Sequence, residues 1–151
     1  MKNTKKLQIQ HLDAKTASQQ SFPEPPPRGW IHAIRTSLKM SLEQMANSMD
    51  LTAPTVFAME KREKNGTISL NNLKKAAAAL NTRLVYGFLP IDGSFEKILE
   101  NQALIVAEKI VMRTNATMKL EDQQVSKERL QKAIKELADE IKNEMPKYLW
   151  D

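Results

Sequence analysis

The chain has 151 residues, 41% of them hydrophobic and 27% charged, and a formal net charge of +5; this is a globular rather than a disordered composition. It holds no cysteine and two histidines, His11 and His32, which excludes disulfides, thiolate zinc sites and cysteine nucleophiles and leaves little for a His-based metal or catalytic centre. No apolar run approaches the ~20 residues that span a bilayer, and the polar opening "MKNTKKLQIQHLDAK" lacks the apolar core of a signal peptide, so a cytoplasmic protein without metal or cofactor is expected.

Charge is unevenly spread. Residues 28–90 carry nine Lys/Arg against four Asp/Glu, whereas residues 91–151 carry ten against twelve. The middle segment is the candidate for meeting a polyanion, and the C-terminal third is not. A solvated basic face is the plain alternative.

Residues 1–27 end in "SFPEPPPRG", a proline run that reads as a stiff extended connector. The segment before it alternates like a strand at Leu7, Ile9 and His11 but also fits a short helix; the whole is expected to be a flexible basic and proline-rich arm. From Trp30 the pattern turns helical, with Trp30, Ile31, Ile34 and Leu38 at helical spacings to about Lys39. "SLEQ" at Ser41 is a capping-box arrangement opening a second helix with Leu42, Met45, Ala46 and Met49 on its apolar face. "DLT" breaks that helix, and Thr52 is a suitable N-cap for a third running to about Lys61. Pro54 sits in its first turn, where a missing N–H costs little. "REKNGT" reads as a turn, and Ser69 caps a fourth helix with Leu70, Leu73, Ala76, Ala77 and Leu80 inward. "RLVYGFLP" is β-rich and stopped by Pro90, a short strand or extended segment. Two further helices are expected, Phe95 to about Arg113 and Lys127 to Met145. The second carries Leu130, Ile134, Leu137, Ile141 and Met145 at the steps of four and three that mark a helix–helix seam.

Two short helices joined by a tight turn, "SLEQMANSMDLTAPTVFAMEK", carry the strongest functional signal. A helix-turn-helix needs an apolar brace under its second helix, whose first residues then enter the major groove; Met45, Ala46, Met49, Leu51, Val56 and Met59 supply the brace. Residues 30–84 resemble the five-helix DNA-binding domain of the lambda repressor (Xre) family, on the strength of Arg35, "SLEQMA", Leu51, Thr52, Thr55-Val56, Glu60 and "SLNNLKKAAAAL". The resemblance implies a structural salt bridge between Arg35 and Glu60. Asp50 replaces the family's turn glycine and must accept a left-handed conformation. Leu42 stands where a phosphate-contacting Gln is usual. More of the chain, "PPPRGWIHAIR", "GTISLNNLKKAAAALNTRLVYGFLP", "TMKLEDQ" and "LWD", resembles the mobile mystery protein A family over roughly residues 25–151. That resemblance implies a gene neighbour encoding a Fic-domain protein and hence a toxin–antitoxin-like pair.

By the resemblance to the repressor family the groove-facing residues are Ala53, Pro54, Thr55 and Ala58, with Thr52 at a phosphate-facing cap. Ala and Pro cannot make the bidentate base contacts worth about 1–3 kcal/mol. Their apolar surfaces and the Thr55 methyl suit thymine methyls, so T-rich half-sites with low specificity per monomer are expected. Lys61, Arg62, Lys64 and Thr67 are the expected phosphate contacts, with Arg28 and the basic arm (Lys2, Lys5, Lys6) as additional ones. Weak monomeric reading implies a homodimer on two half-sites.

Three roles stay open for residues 91–151: extra core, a dimer interface, or a partner-binding module. "TMKLED" partly fits the inhibitory motif of some Fic proteins, which would make Glu121 a partner-inhibitory residue. Asp122 stands where that motif needs Gly or Asn, and a plain loop is the alternative. No Gly-rich phosphate loop, metal cluster or nucleophile–base pair is visible, so catalysis is not expected. The reading is a mainly α chain: an arm (1–27), a five-helix repressor-like helix-turn-helix domain (28–90) and a C-terminal helical extension (91–151). It would serve as a DNA-binding autorepressor and antitoxin-like partner of a Fic-domain protein, or alternatively as an adaptor that binds protein through its C-terminal helices.

Overall fold

The computed structural model describes residues 2–19, 21–120 and 126–151, with helices and connecting chain but no strand among them. The α-helices are α1 (Lys2–Thr16), α2 (Trp30–Ser37), α3 (Leu42–Ser48), α4 (Ala53–Asn65), α5 (Leu70–Ala79), α6 (Phe95–Leu120) and α7 (Lys127–Glu144), followed by a 3₁₀ turn, Lys147–Trp150. None of these helices is long and apolar enough to cross a membrane. The chain divides into two compact units, residues 22–87 and residues 1–21 with 88–151.

The unit of residues 22–87 closes over Ile31, Met45, Ala46, Val56, Met59, Ala76 and Leu80. Its helices start as their sequences dictate. The Gln44 N–H donates to Ser41 Oγ at 3.0 Å and the Ser41 N–H to Gln44 Oε1 at 2.8 Å, a complete capping box. Ser69 Oγ accepts from the Asn72 N–H at 3.1 Å. Four helices lie in this unit, not the five expected. After α5 the Thr82 N–H returns to the Ala77 carbonyl at 2.8 Å, and residues 82–90 run on without helix, turn or bend. Of the apolar positions expected to face inward, Trp30, Leu38, Leu51 and Leu70 are exposed.

All four helices stop the same way, although glycine ends only one. Lys39, Asp50, Gly66 and Asn81 have φ of 56°, 54°, 75° and 55°. Behind each, the next N–H reaches back five residues: Met40 to Arg35, Leu51 to Ala46, Thr67 to Arg62, Thr82 to Ala77. This is the Schellman arrangement, which satisfies carbonyls that a helix end leaves over. Asp50 takes the left-handed conformation that the resemblance implied for it.

The other unit pairs α6 with α7 around Leu99, Ala103, Ala107, Ala138, Ile141 and Leu149. Three alanines in that contact let the helices approach closely. Lys142 of α7 bonds Glu100 at 2.7 Å and Glu96 at 3.1 Å on α6, which fixes the two as antiparallel. The expected flexible arm is instead largely helical over residues 2–16. Ile9 of α1 packs on this core, and Asp13 accepts from the Phe95 and Glu96 N–H groups at 2.6 and 3.2 Å, a carboxylate at the N-terminus of α6. Gln102 holds the Leu149 carbonyl at 2.7 Å, so Leu149 is buried while Trp150 stays exposed. Helix α6 runs past the expected end at Arg113, and the expected loop role of Thr117 gives way to helix. Glu121 lies outside the described residues.

Lys39 bears the strain of a left-handed backbone with a Cβ, whereas Gly66 does not. Lys39→Gly should raise the unfolding free energy by about 0.5–1 kcal/mol and Gly66→Ala lower it by about 1 kcal/mol, both read by urea denaturation.

Candidate nucleic-acid interface

The link between α3 and α4 is short because Asp50 turns left-handed and Leu51 returns its N–H to Ala46 at 2.9 Å. Val56 and Met59 of α4 then bury against Met45 and Ala46 of α3. Helix α4 is also clamped to α2 at two points one turn apart. Arg35 Nε donates to Glu60 Oε1 at 2.5 Å, Arg35 Nη2 to Glu60 Oε2 at 3.3 Å, and His32 Nδ1 lies 3.2 Å from Glu60 Oε2. Arg35 Nη1 donates to the Met40 carbonyl at 2.8 Å, so the same guanidinium also fixes the connection from α2 to α3. The expected Arg35–Glu60 bridge is thus present and buried.

The second clamp was not foreseen. Glu63 accepts from the Trp30 N–H at 2.9 Å and the Ile31 N–H at 2.8 Å, capping α2 from a different helix and placing a carboxylate on the positive end of its dipole. Gly29, with φ 88°, makes this possible: a Cβ there would stand 2.7 Å from Glu63 Oε1. A carboxylate 33 residues away in sequence gives no local signal; only the Gly-Trp step after the prolines hints at a special conformation.

These clamps use the inner side of α4 and leave the outer side in water. Thr52, Pro54, Thr55, Lys61, Arg62, Lys64 and Thr67 are exposed, while Ala53 and Ala58 are half-buried. Thr52 does not cap the helix with its side chain. Its hydroxyl lies 2.7 Å from that of Thr55, and since one hydrogen occupies that contact, the other hydroxyl hydrogen is free to donate outward. The first turn gathers Thr52, Ala53, Pro54 and Thr55. Pro54, Ala58 and Lys61 follow at helical steps along one outer line, and Thr55 and Arg62 along its flank. Residues 62–65, expected in a turn, belong to α4, whose stop is Gly66. At 1.5 Å per residue Thr67 therefore lies roughly 20 Å from Thr52, at the opposite end of the helix.

Two residues join this surface that the sequence did not single out. Lys75 of α5 lines a groove of about 570 Å³ with Thr55, Arg62, Asn72 and Ser48, adding a cation beside the first turn of α4. Phe57 is exposed with the Lys61 ammonium 4.9 Å above its ring, which orders that lysine's chain. Both acidic residues of α4, Glu60 and Glu63, are engaged within the unit, so its solvent side is free of negative charge. Among the described residues no cluster of three His, Asp or Glu side chains is placed to hold a metal ion.

No family model, curated protein or solved structure matches the chain.

Burial pushes the Glu60 carboxyl up, but the hydrogen bonds and charges of Arg35 and His32 outweigh it and hold the group below its usual 4.5. A depressed carboxylate stabilises the fold above the unfolded-state value and loses that contribution as pH falls through the folded one. Stability should therefore drop below about pH 4.5, and Glu60→Gln should flatten that drop. The same variant, which strands a buried guanidinium, should cost about 3–5 kcal/mol at neutral pH, read by denaturant unfolding across pH.

Proposed function

We propose that residues 22–87 are a helix-turn-helix DNA-binding unit of the lambda-repressor kind, with α3 bracing α4 and α4 entering the major groove. The chain then acts as a sequence-preferring transcriptional regulator that works as a homodimer. The observation that carries this reading is the outer face of α4: a clamped helix whose solvent side offers Thr52, Pro54, Thr55, Ala58, Lys61 and Arg62 and no carboxylate, with Lys75 beside it. Pro54, Ala58 and the Thr55 methyl suit thymine methyls in T-rich half-sites. The spare hydroxyl hydrogen of the Thr52–Thr55 pair serves a phosphate or a base oxygen. Lys61, Arg62 and Lys75 take phosphates near the first turns, and Lys64 and Thr67 a second stretch of backbone. Resemblance to the mobile mystery protein A family adds the proposal that the regulated operon is its own and includes a Fic-domain protein, to which this chain is the antitoxin-like partner.

A second reading, an adaptor acting mainly through residues 91–151, draws on the apolar side chains that α6 leaves in water, Leu104, Ile105 and Met112. Leu137 is packed on the core of its own unit, so a charge placed there would damage the fold. Ile105→Asp is the cleaner probe of partner binding.

Binding to a duplex from the chain's own upstream region should exceed binding to a scrambled duplex and fall steeply with salt, with a log–log slope of about −0.9 per phosphate contact. Thr55→Glu should abolish the preference, and Lys75→Ala should lessen the slope by about 0.9 while leaving the preference in place. Equal, salt-insensitive binding to both duplexes would sink the reading.

A further inference from the structure

Phe57 is a large apolar side chain that α4 leaves 41% exposed, and its place on the helix is more central than that of its neighbours in the first turn. Val56, Met59 and Glu60 are buried and mark the inner side of α4. At 3.6 residues per turn, the opposite side is formed by Pro54, Phe57, Ala58 and Lys61, the set that a helix brings onto one face. Ala53 and Thr55 lie roughly a quarter-turn to either side of it. The middle of the outer face is therefore apolar, and Phe57 supplies most of that surface. Around it Lys61, Arg62 and Lys64 are exposed, and the Lys61 ammonium stands 4.9 Å from the centre of the ring. An apolar partner would strand those charges out of water, and a wholly polar anion would leave Phe57 uncovered. The floor of the major groove, with methyl groups set between two rows of phosphates, meets both demands.

We propose that Phe57, with Pro54 and Ala58, is the specificity-determining element of this face, and that what it detects is the C5 methyl of a pyrimidine. None of these three side chains carries a hydrogen-bond donor or acceptor. They cannot tell the O4 acceptor of thymine from the N4 donor of cytosine, the groups that separate the two bases in the groove. A methyl on C5 is apolar on either base and packs against ring, proline and alanine alike. The ligand class is thus duplex DNA bearing 5-methylpyrimidines: thymine and, equally, 5-methylcytosine, with uracil and unmethylated cytosine disfavoured. This deepens the regulator reading and rests on it for the entry of α4 into the groove. It adds that methylation of cytosine raises binding rather than blocking it.

The test titrates the full chain against the duplex of its own upstream region in several forms: with thymine, with uracil in place of every thymine, and with cytosine there, either plain or methylated at C5. Each methyl lost from an apolar contact should weaken binding about fourfold. The thymine duplex should therefore bind more tightly than the uracil duplex, and the methylated cytosine duplex more tightly than the plain one, by at least that factor. Phe57→Ala should bring both ratios close to unity, whereas Phe57→Leu, which keeps an apolar side chain in place, should retain them. Phe57 is exposed, so both variants should keep the helical circular dichroism and the urea midpoint of the unmodified chain. Lys61→Gln should weaken every form alike. Ratios of unity in the unmodified chain would overturn the proposal. So would ratios unchanged in Phe57→Ala, the result expected if the ring merely shaped the helix. Ratios of unity together with a preference for the upstream duplex over a scrambled one would leave the regulator reading standing; absence of binding to any duplex would sink both.

Discussion

The unit of residues 22–87 depends on the buried pair of Arg35 and Glu60. One guanidinium reaches a carboxylate on α4 and the Met40 carbonyl between α2 and α3, so three helices take their orientation from it. The core beneath is small, with two alanines among its buried residues, and dispersion between such residues fixes distance better than angle. A bidentate, charge-assisted contact supplies the angle. Glu63, one turn further along α4, repeats the constraint by holding the start of α2, and Gly29 leaves room for it.

The features that could be read from the sequence are those written within a few residues. Ser41 with Gln44 and Ser69 each cap the helix that follows, and each is a local signal of fixed spacing. Asp50 could be assigned its left-handed turn only through the resemblance, because it stands where the repressor family has its turn glycine. The Arg35–Glu60 bridge came through resemblance alone, since nothing local links residues 25 apart. What went unread depends on distance or on competing signals. Helix α1 owes its place to Asp13 meeting α6, more than 80 residues later. The ends near Lys39 and Leu80 were read, but the left-handed backbone of Lys39 and Asn81 had no glycine to mark it. Helix α4 was cut short at Lys61 because the charged run to Asn65 looked like a turn, while Gly66 was its true end. Lys75 joined the surface around Thr55 only once α5 had been laid beside α4.

The two units solve helix packing differently. In one, ion pairs and returning N–H groups set the angles between short helices. In the other, α6 and α7 meet over Ala103, Ala107 and Ala138, and Lys142 straps them by bridging Glu96 and Glu100. The Glu100 hydrogen bond raises the affinity of Lys142 for its proton against the effect of burial, so the strap stays charged in neutral solution. Of the seam read from Leu130, Ile134, Leu137, Ile141 and Met145, the last four are spent on this internal contact. Whatever α6 offers outward comes from Leu104, Ile105 and Met112.

Glu60 and Glu63 both belong to α4, the helix whose far side is bare of negative charge. Glu60 has its guanidinium partner, and Glu63 its two N–H groups at the start of α2, only while α2 is docked. If α2 lifted away, the same helix would carry two uncompensated carboxylates beside Lys61, Arg62 and Lys64, and its attraction for an approaching polyanion would weaken. Docking of α2 and occupation of the outer face of α4 by an anion would therefore favour one another by the same free energy.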